Sequence, residues 1–377
     1  MKSICFISTY LNHHNKPICD ALYKFSGPSF HYVATSNIGE LRKSMGFTQM
    51  DADYLLDYTN HEKRKGIQGI IDSADVVLIG ASEPIYLIRN RLKHGKLTFR
   101  CSERLFKTTS RYLKAPVHWC RCLLSRKAHL LCIGALSARD YNLLGFYKRR
   151  CFRWGYFTEV KNQDPERLWD YKIQSRVKEN TVSILWVGRL IGWKQPEAIV
   201  KALKIVREVG FSFDLTMIGD GPVAPLLRTM IEAYNMNDCI HLLGARSTST
   251  VRQYMEKSEI FVFTSNRQEG WGAVLNEAMS CACSVIANSE IGSVPFLLKN
   301  GFNGLIYYNN SIERLSGCIL QLIESESYKR QLGIEAYNTI SDCWSPRNAA
   351  TNLIALVDSI QHNNANPIKD GPCSLCE

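Results

Sequence analysis

Short apolar runs recur along this chain at intervals that leave room for one helix between neighbours, and few folds accept that rhythm. In the first half they are SICFIST (3–9), FHYVATS (30–36), DVVLIGA (75–81), KLTFRC (96–101) and LLCIGAL (130–136). In the second half they are SILWVGRL (183–190), DLTMIGDG (214–221), CIHLLG (239–244), EIFVFTS (259–265), CSVIAN (283–288) and GLIYY (304–308). Runs that are apolar throughout, rather than alternating, are those of strands buried on both faces, and strands alternating with helix-length segments make parallel sheets covered by helices. The stretch VKNQDPERLWDYKIQSRVKEN (160–180) is polar and holds no comparable run, which puts a linker there. A chain of 377 residues is long for one core. The expectation is an α/β protein of two Rossmann-like, doubly wound domains facing each other across a cleft at the carboxyl ends of their strands, where such sheets bind ligands.

Composition narrows the class. At 45% apolar and 21% charged residues the chain reads as a folded soluble protein. No apolar stretch reaches the roughly 18 residues of a membrane span, and MKSICFIST lacks the pattern of a cleaved leader, so a cytoplasmic location is expected. Fourteen cysteines then read as reduced thiols, and the CSLCE near the end is a lone CxxC with no second pair at zinc-site spacing. The net charge of +11 is concentrated: positions 89 to 153 hold 17 Lys or Arg against two acids, Glu103 and Asp140, while the rest is mildly acidic. Something anionic should meet that region. Within it Arg100, Arg104, Lys107, Arg111 and Lys114 are spaced 4, 3, 4 and 3, which predicts one cationic helical stripe with Leu105, Phe106, Tyr112 and Leu113 beside it. Such a helix suits an anionic membrane surface, or is an ordinary helix with its apolar side in the core. Nucleic acid is disfavoured, because no zinc-finger spacing or RNA-binding motif accompanies the charge.

The chemistry-bearing motifs lie in the second half. EGWGAVLNEAM (269–279) sets Glu269 and Glu277 eight positions apart across a glycine-rich turn that opens a helix. The amides at that helix start favour an anion, and the carboxylates suit sugar hydroxyls. The plainer alternative is a favourable charge at a helix start and a solvated helix residue. WVGRLIGWK delivers Arg189 and Lys194 after a strand, either as a diphosphate clamp or as surface cations. Gly219 and Gly221 of IGDGP permit a tight turn near the cleft, or a turn of structural purpose alone.

VGRL followed by lysine, IGDGP, LLG and the spaced glutamates, in this order over about 183–310, resemble the donor-binding domain of the retaining glycosyltransferases of family 4, which have the GT-B fold. WSPRNAATNLIALVDSI resembles that family's last helix, which crosses back onto the first domain. The resemblance implies an N-terminal acceptor domain over 1–165, a linker over 166–182, a donor domain over 183–343, the returning helix over 344–362 and a tail over 363–377. It also implies that Arg189 and Lys194 hold the diphosphate of a UDP- or GDP-linked sugar, that Glu269 contacts the sugar, that the amides of Gly270, Trp271, Gly272 and Ala273 approach sugar and phosphate, and that Glu277 holds the ribose. Glu269, Arg189 and Lys194 are the expected catalytic groups, in a front-face reaction that keeps anomeric configuration and needs neither metal nor cofactor.

The closest pattern within the family is that of bacterial capsular and exopolysaccharide enzymes, with NHH near the first strand, SERLFK mid-domain and RWGYF before the linker. That implies a polyprenyl-diphosphate-linked glycan acceptor and a peripheral location on the inner face of the cytoplasmic membrane. A sugar-phosphate synthase of the same fold with a soluble acceptor is the alternative. The chain departs from the family where a histidine is common after a middle strand of the first domain, since it has FRCSER there, with Glu103 and Arg104 at the comparable place. His13 and His14 either line the cleft or cap a helix.

Overall fold

The computed structural model describes residues 2–40, 48–108, 113–176 and 181–376. The chain forms two compact units, Met1–Glu159 together with Cys343–Glu377, and Val160–Asp342.

Among the described residues the first unit is built on a seven-stranded sheet in the order β3-β2-β1-β4-β5-β6-β7. The strands are β1 (Ile4–Ser8), β2 (Phe30–Ala34), β3 (Leu55–Asp57), β4 (Val76–Gly80), β5 (Thr98–Glu103), β6 (His129–Ile133) and β7 (Cys151–Trp154), all parallel. β1 lies between β2 and β4, with Ile4 in register with both Phe30 and Val76, so the strand order reverses there. The second unit repeats the plan with six parallel strands in the order β10-β9-β8-β11-β12-β13. They are β8 (Val182–Val187), β9 (Phe213–Ile218), β10 (Ile240–Leu242), β11 (Ile260–Phe263), β12 (Ser284–Asn288) and β13 (Leu305–Tyr307). Its switch point lies between β8 and β11. Every residue of β11 and β12 is buried, as continuous apolar runs require when helices cover both faces.

β3 and β7 have no counterpart among the eleven apolar runs. β3 is three residues long at a sheet edge, and β7 (CFRW) carries a half-buried arginine. The outer edge of β7 is covered by the chain's end: Arg153 N–H donates to the Ser374 carbonyl (2.8 Å), and the amides of Cys373 and Cys376 donate to the carbonyls of Arg153 (2.7 Å) and Cys151 (2.9 Å). The terminal CxxC is thus part of a short antiparallel pairing that closes an otherwise open sheet edge.

The polar stretch 160–180 is not a bare linker. Pro165–Gln174 is a helix of the second unit, begun by Asp164, whose side chain accepts from the Glu166 amide (3.0 Å), and by a proline in its first turn. Trp169 is fully buried against Ala282 and Tyr337, and a Cβ on Gly333 would lie 2.5 Å from its indole nitrogen. The buried Lys172 ammonium donates to the carbonyls of Met255 (2.7 Å) and Ser258 (2.8 Å). A single large aromatic thus anchors a segment whose overall composition is polar. Trp169→Ala is expected to destabilise the second unit by about 3–5 kcal/mol, read from urea unfolding; a change within error would mean the helix is not needed for that core.

Among the described residues the cationic stripe over 100–114 is not a helix. Positions 98–103 are β5, inside the sheet, so Arg100 and Arg104 are not set at helical spacing. Arg100 is buried, with Nη1 donating to Ser125 Oγ (3.1 Å) and the guanidinium 5.6 Å from the Tyr141 ring centre. Arg104 is buried against Asp140 (3.4 Å), whose carboxylate also accepts from the Phe106 amide (2.9 Å). Lys107 pairs with Glu103, Lys114 stands just before the helix Ala115–Leu124, and Arg111 lies outside the described residues. The strand's own β-forming residues and its neighbours β4 and β6 outweigh the spacing of its arginines. No helix among the described residues is long and apolar enough to cross a membrane.

Candidate functional site

The polar groups of the second unit gather where β8 and β11 end, at the switch point of its sheet. After β8 the chain passes Gly188 and Arg189 and makes a short turn, Gly192–Lys194, whose exit needs Gln195 in the left-handed region (φ 49°) before Pro196 opens the next helix. Two bonds fasten this turn to β11 and the residues after it. Thr264 Oγ1 donates to the Lys194 carbonyl (2.7 Å) while accepting from the Trp186 indole (2.9 Å), and the Asn266 amide donates to the Trp193 carbonyl (3.0 Å).

Held in this way, Lys194 places its ammonium on the carboxylate of Glu269, which also accepts from Ser265 Oγ (3.1 Å). Both side chains of the pair are 12% exposed. The ammonium lies 4.7 Å from the Trp193 ring centre and 5.3 Å from that of Phe263, so its low-polarity surroundings strengthen the pairing. Arg189 is exposed, with its guanidinium 5.7 Å from the same Trp193 ring. Glu269 is therefore not a free charge at a helix start but one member of an ion pair, and Lys194 is not a surface cation.

Gly270 and Trp271 are buried, and Gly272 and Ala273 partly so. Gly272 stands at φ 82°, before the helix Ala273–Met279, and a Cβ on it would fall 2.4 Å from the Phe263 ring; only glycine brings the backbone this close to the end of β11. The Trp271 side chain is fully buried, its indole donating to Asn276 Oδ1 (2.8 Å). Its buried ring anchors the turn in the core. The start of the helix has no side-chain cap. The IGDGP turn packs on the loop after β8: a Cβ on Gly219 would lie 1.8 Å from the Gly188 carbonyl oxygen, and the Leu190 amide donates to the Asp220 carbonyl (2.9 Å). Its glycines shape the loop that carries Arg189.

Glu277 lies one turn into the helix and is only partly exposed. Burial pushes its carboxyl up to about 7, against the opposing influence of the Arg252 guanidinium from the helix Thr248–Lys257. Arg252 is itself held by Glu256 (3.1 Å) and Ser280 (3.4 Å).

The first unit brings its three short motifs together. His13 and His14 sit in the turn between β1 and the helix Lys16–Ser26, with ring centres 4.0 Å apart. Asn12 makes the turn, its side chain accepting from the His14 amide (2.9 Å), and Asn15 at the helix start makes no side-chain cap. Burial lowers the His13 pKa. His14 faces Tyr156 (6.1 Å between ring centres), and the Tyr156 hydroxyl donates to Glu103 Oε1 (3.1 Å), whose other oxygen holds Lys107. His14 and Tyr156 also border a cavity of about 20 Å³ with Phe6, Cys101, Ile133 and Trp154. Arg104 is buried and pairs with Asp140. Sequence reasoning missed Glu83. It follows β4 beside the unit's switch point and is buried, with Thr35 and Ser82 hydroxyls as hydrogen-bond partners and no cation on it among the described residues. The available signal was an acid placed directly after a wholly apolar run, in DVVLIGASEP.

Residues 169–339, which include Arg189, Lys194, Glu269 and Glu277, match the family model described as Glycosyl transferases group 1. The chain is 33% identical over 149 residues to the uncharacterized glycosyltransferase MJ1178 of Methanocaldococcus jannaschii, covering 40% of each chain. It is 26% identical over 169 residues to the amylovoran biosynthesis glycosyltransferase AmsK of Erwinia amylovora, covering 44% of this chain and 41% of that one. The chain thus spans about two fifths of the length of these curated relatives. Among solved structures, Anabaena Alr3699/HepE in complex with UDP superposes with a TM-score of 0.71 over 95% of this chain and 100% of that one, at 15% identity. That likeness concerns the fold: two parallel-sheet, Rossmann-like units of the GT-B class.

Proposed function

We propose that the chain is a glycosyltransferase that moves a hexosyl group from a UDP- or GDP-linked sugar to a hydroxyl of a glycan acceptor in the building of a surface polysaccharide. The observation that carries this reading is the Lys194–Glu269 ion pair at the switch point of the second unit, with the exposed Arg189 beside it. A diphosphate arriving there takes over the ammonium that Glu269 now neutralises, and the released carboxylate becomes an acceptor for sugar hydroxyls. One ligand with both kinds of group accounts for a cation and an acid kept together in a poorly solvated place. The names of the relatives support the reaction class, and the UDP held by HepE supports the nucleotide.

In the reaction the bond from the sugar's anomeric carbon to the phosphate oxygen breaks, a bond from that carbon to the acceptor oxygen forms, and the acceptor's proton goes to the departing phosphate oxygen. Anomeric configuration is retained because entry and departure share one face. Arg189, Lys194 and the amides at Gly272 and Ala273 oppose the charge that grows on the leaving diphosphate, and no metal is assigned a role. Glu269 positions the sugar, and Glu277 accepts from the ribose. This pattern is that of the family 4 enzymes. The acceptor is a polyprenyl-diphosphate-linked glycan reached by an enzyme resting on the inner face of the cytoplasmic membrane.

A panel of UDP- and GDP-sugars tested by thermal shift is expected to single out one donor, and turnover of that donor with lipid-linked glycans is expected to give a product of unchanged anomeric configuration by NMR. Inversion would remove the front-face route. Stabilisation by no nucleotide sugar at all would remove the transferase reading.

A further inference from the structure

The helix Ala115–Leu124 is apolar on both sides. Its inward stripe is accounted for: Cys122 is buried in the core of the first unit, Ala115 packs against that core, and the His118 ring meets Phe106 edge-on with centres 6.1 Å apart. The outward side carries Val117 (59% exposed), Leu124 (65%) and Trp119 (46%), with the exposed Cys120 between them and Leu113 (85%) just ahead of the helix. Positions 117, 120 and 124 recur at helical spacing, so these side chains share a face. The helix contains no acid. Lys114 precedes it, Arg121 lies on it, Arg126 and Lys127 follow it, and all four are exposed. The acids nearest in sequence are already engaged, Glu103 by Lys107 and Asp140 by Arg104.

We propose that this face docks on an anionic lipid bilayer, with Val117, Trp119 and Leu124 in the upper acyl layer and Lys114, Arg121, Arg126 and Lys127 at the headgroup phosphates. Clustered apolar exposure on a folded unit marks an interaction surface. The ring of cations selects a partner that offers both an apolar depth and a dense negative surface, and a bilayer supplies both over the whole length of the helix. A tryptophan whose ring is half in the protein and half out suits the boundary between acyl chains and headgroups. The binding is superficial, since no described helix is long enough to span. The surface moves the membrane contact from the strand and loop over 100–107, where Arg100 and Arg104 are buried, to the next helix along. It deepens the proposed function by naming the element that brings a lipid-borne acceptor to the first unit, and it rests on that reading for its purpose only; vesicle binding requires no sugar donor.

The test floats the full chain with phosphatidylcholine vesicles, with or without phosphatidylglycerol. Binding is expected on the anionic vesicles alone and is expected to weaken as salt rises. Val117→Ser with Leu124→Ser is expected to weaken it by about tenfold or more, and Arg121→Gln with Lys127→Gln by about threefold to tenfold. Addition of anionic vesicles should blue-shift tryptophan fluorescence in the native chain and not in Trp119→Phe. All these side chains are at least partly exposed, and an unchanged melting temperature checks that each variant folds. No binding of the native chain to anionic vesicles, equal binding to both kinds, or full binding by the Val117/Leu124 variant would overturn the proposal. So would a concentration-dependent dimer that the same variant abolishes, without vesicle binding, since the face would then belong to a second copy. Vesicle binding with no nucleotide sugar raising the melting temperature would leave the docking surface standing and remove the transferase reading.

Discussion

Lys194→Ala is expected to lower turnover by about 10²–10³-fold, the scale on which loss of one preorganised group facing a developing charge is felt. The ammonium is preorganised in a specific sense. Its backbone is fixed by the Thr264 hydroxyl on the Lys194 carbonyl, and Thr264 is fixed in turn by the Trp186 indole, so the residue that meets the leaving group is set by the strand ends themselves. Loss of the lysine also strands Glu269, which among the described residues keeps Ser265 alone as a side-chain hydrogen-bond partner. Breaking a pair this poorly solvated costs up to about 3 kcal/mol of stability, less than a fully buried pair because each side chain retains some exposure. Stability and chemistry are separable. Lys194→Met combined with Glu269→Gln removes both charges together and is expected to recover most of the lost stability in urea unfolding while turnover stays low. The decisive measurement is the split of kcat from KM. A rise in the donor KM with kcat intact would make Lys194 a ground-state anchor and end its assignment to the transition state.

The parts of the fold that were legible in the sequence share one physical origin. β1, β4, β6, β11 and β12 are buried on both faces, so hydrophobicity alone marks them without any knowledge of partners. β3 and β7 escape because an edge strand is half solvated and short, and β7 in particular owes its outer pairing to residues 373–376, more than two hundred positions away. The misread stripe over 100–114 fails for a related reason: the spacing of five cations is visible locally, whereas the burial of Arg100 and Arg104 is decided by Ser125, Asp140 and Tyr141, which only the folded sheet brings to them.

The site divides along the same line. Arg189, Lys194 and Glu269 could be singled out because each stands at or just past the end of an apolar run, and Glu277 because it follows Glu269 by eight positions across a glycine-rich turn. That Lys194 and Glu269 neutralise one another across 75 positions could not be read from the chain, because neither motif carries a mark of the other. In the first unit NHH, SERLFK and RWGYF were recognisable as separate words, and the hydrogen bond from Tyr156 to Glu103 together with the approach of Tyr156 to His14 makes them one cluster. Glu83 went unremarked because an acid after a strand is a common surface feature, and only its burial distinguishes it.

Glu277→Gln is expected to make the protein more stable and a poorer binder of nucleotide at the same time. Burial raises this carboxyl from its ordinary 4.5 to about 7, so over that interval the folded chain keeps a proton that the unfolded chain has lost. Stability therefore falls as pH rises from about 4.5 to about 7 and is level beyond, because the folded state binds more protons throughout that window. A neutral glutamine escapes this cost. Its melting temperature should exceed that of the native chain in mildly alkaline buffer, and the two should converge in buffers below the ordinary carboxyl range. Binding runs the other way. The ribose hydroxyls are best received by the ionised carboxylate, so nucleotide affinity of the native chain is expected to climb as pH passes through about 7 and that of the glutamine variant to stay flat. Where the native carboxylate is fully ionised, the lost charged acceptor is worth about 1.5–3 kcal/mol, or about tenfold to a hundredfold in Kd. Isothermal titration at several pH values reads the affinity and thermal unfolding reads the stability. A glutamine variant that binds as tightly as the native chain would take the ribose away from Glu277, and one that is no more stable in alkaline buffer would mean the carboxylate is solvated after all. If both expectations hold, the helix keeps a costly, poorly solvated acid because the ligand requires it, which is the pattern of a binding residue and not of a structural one.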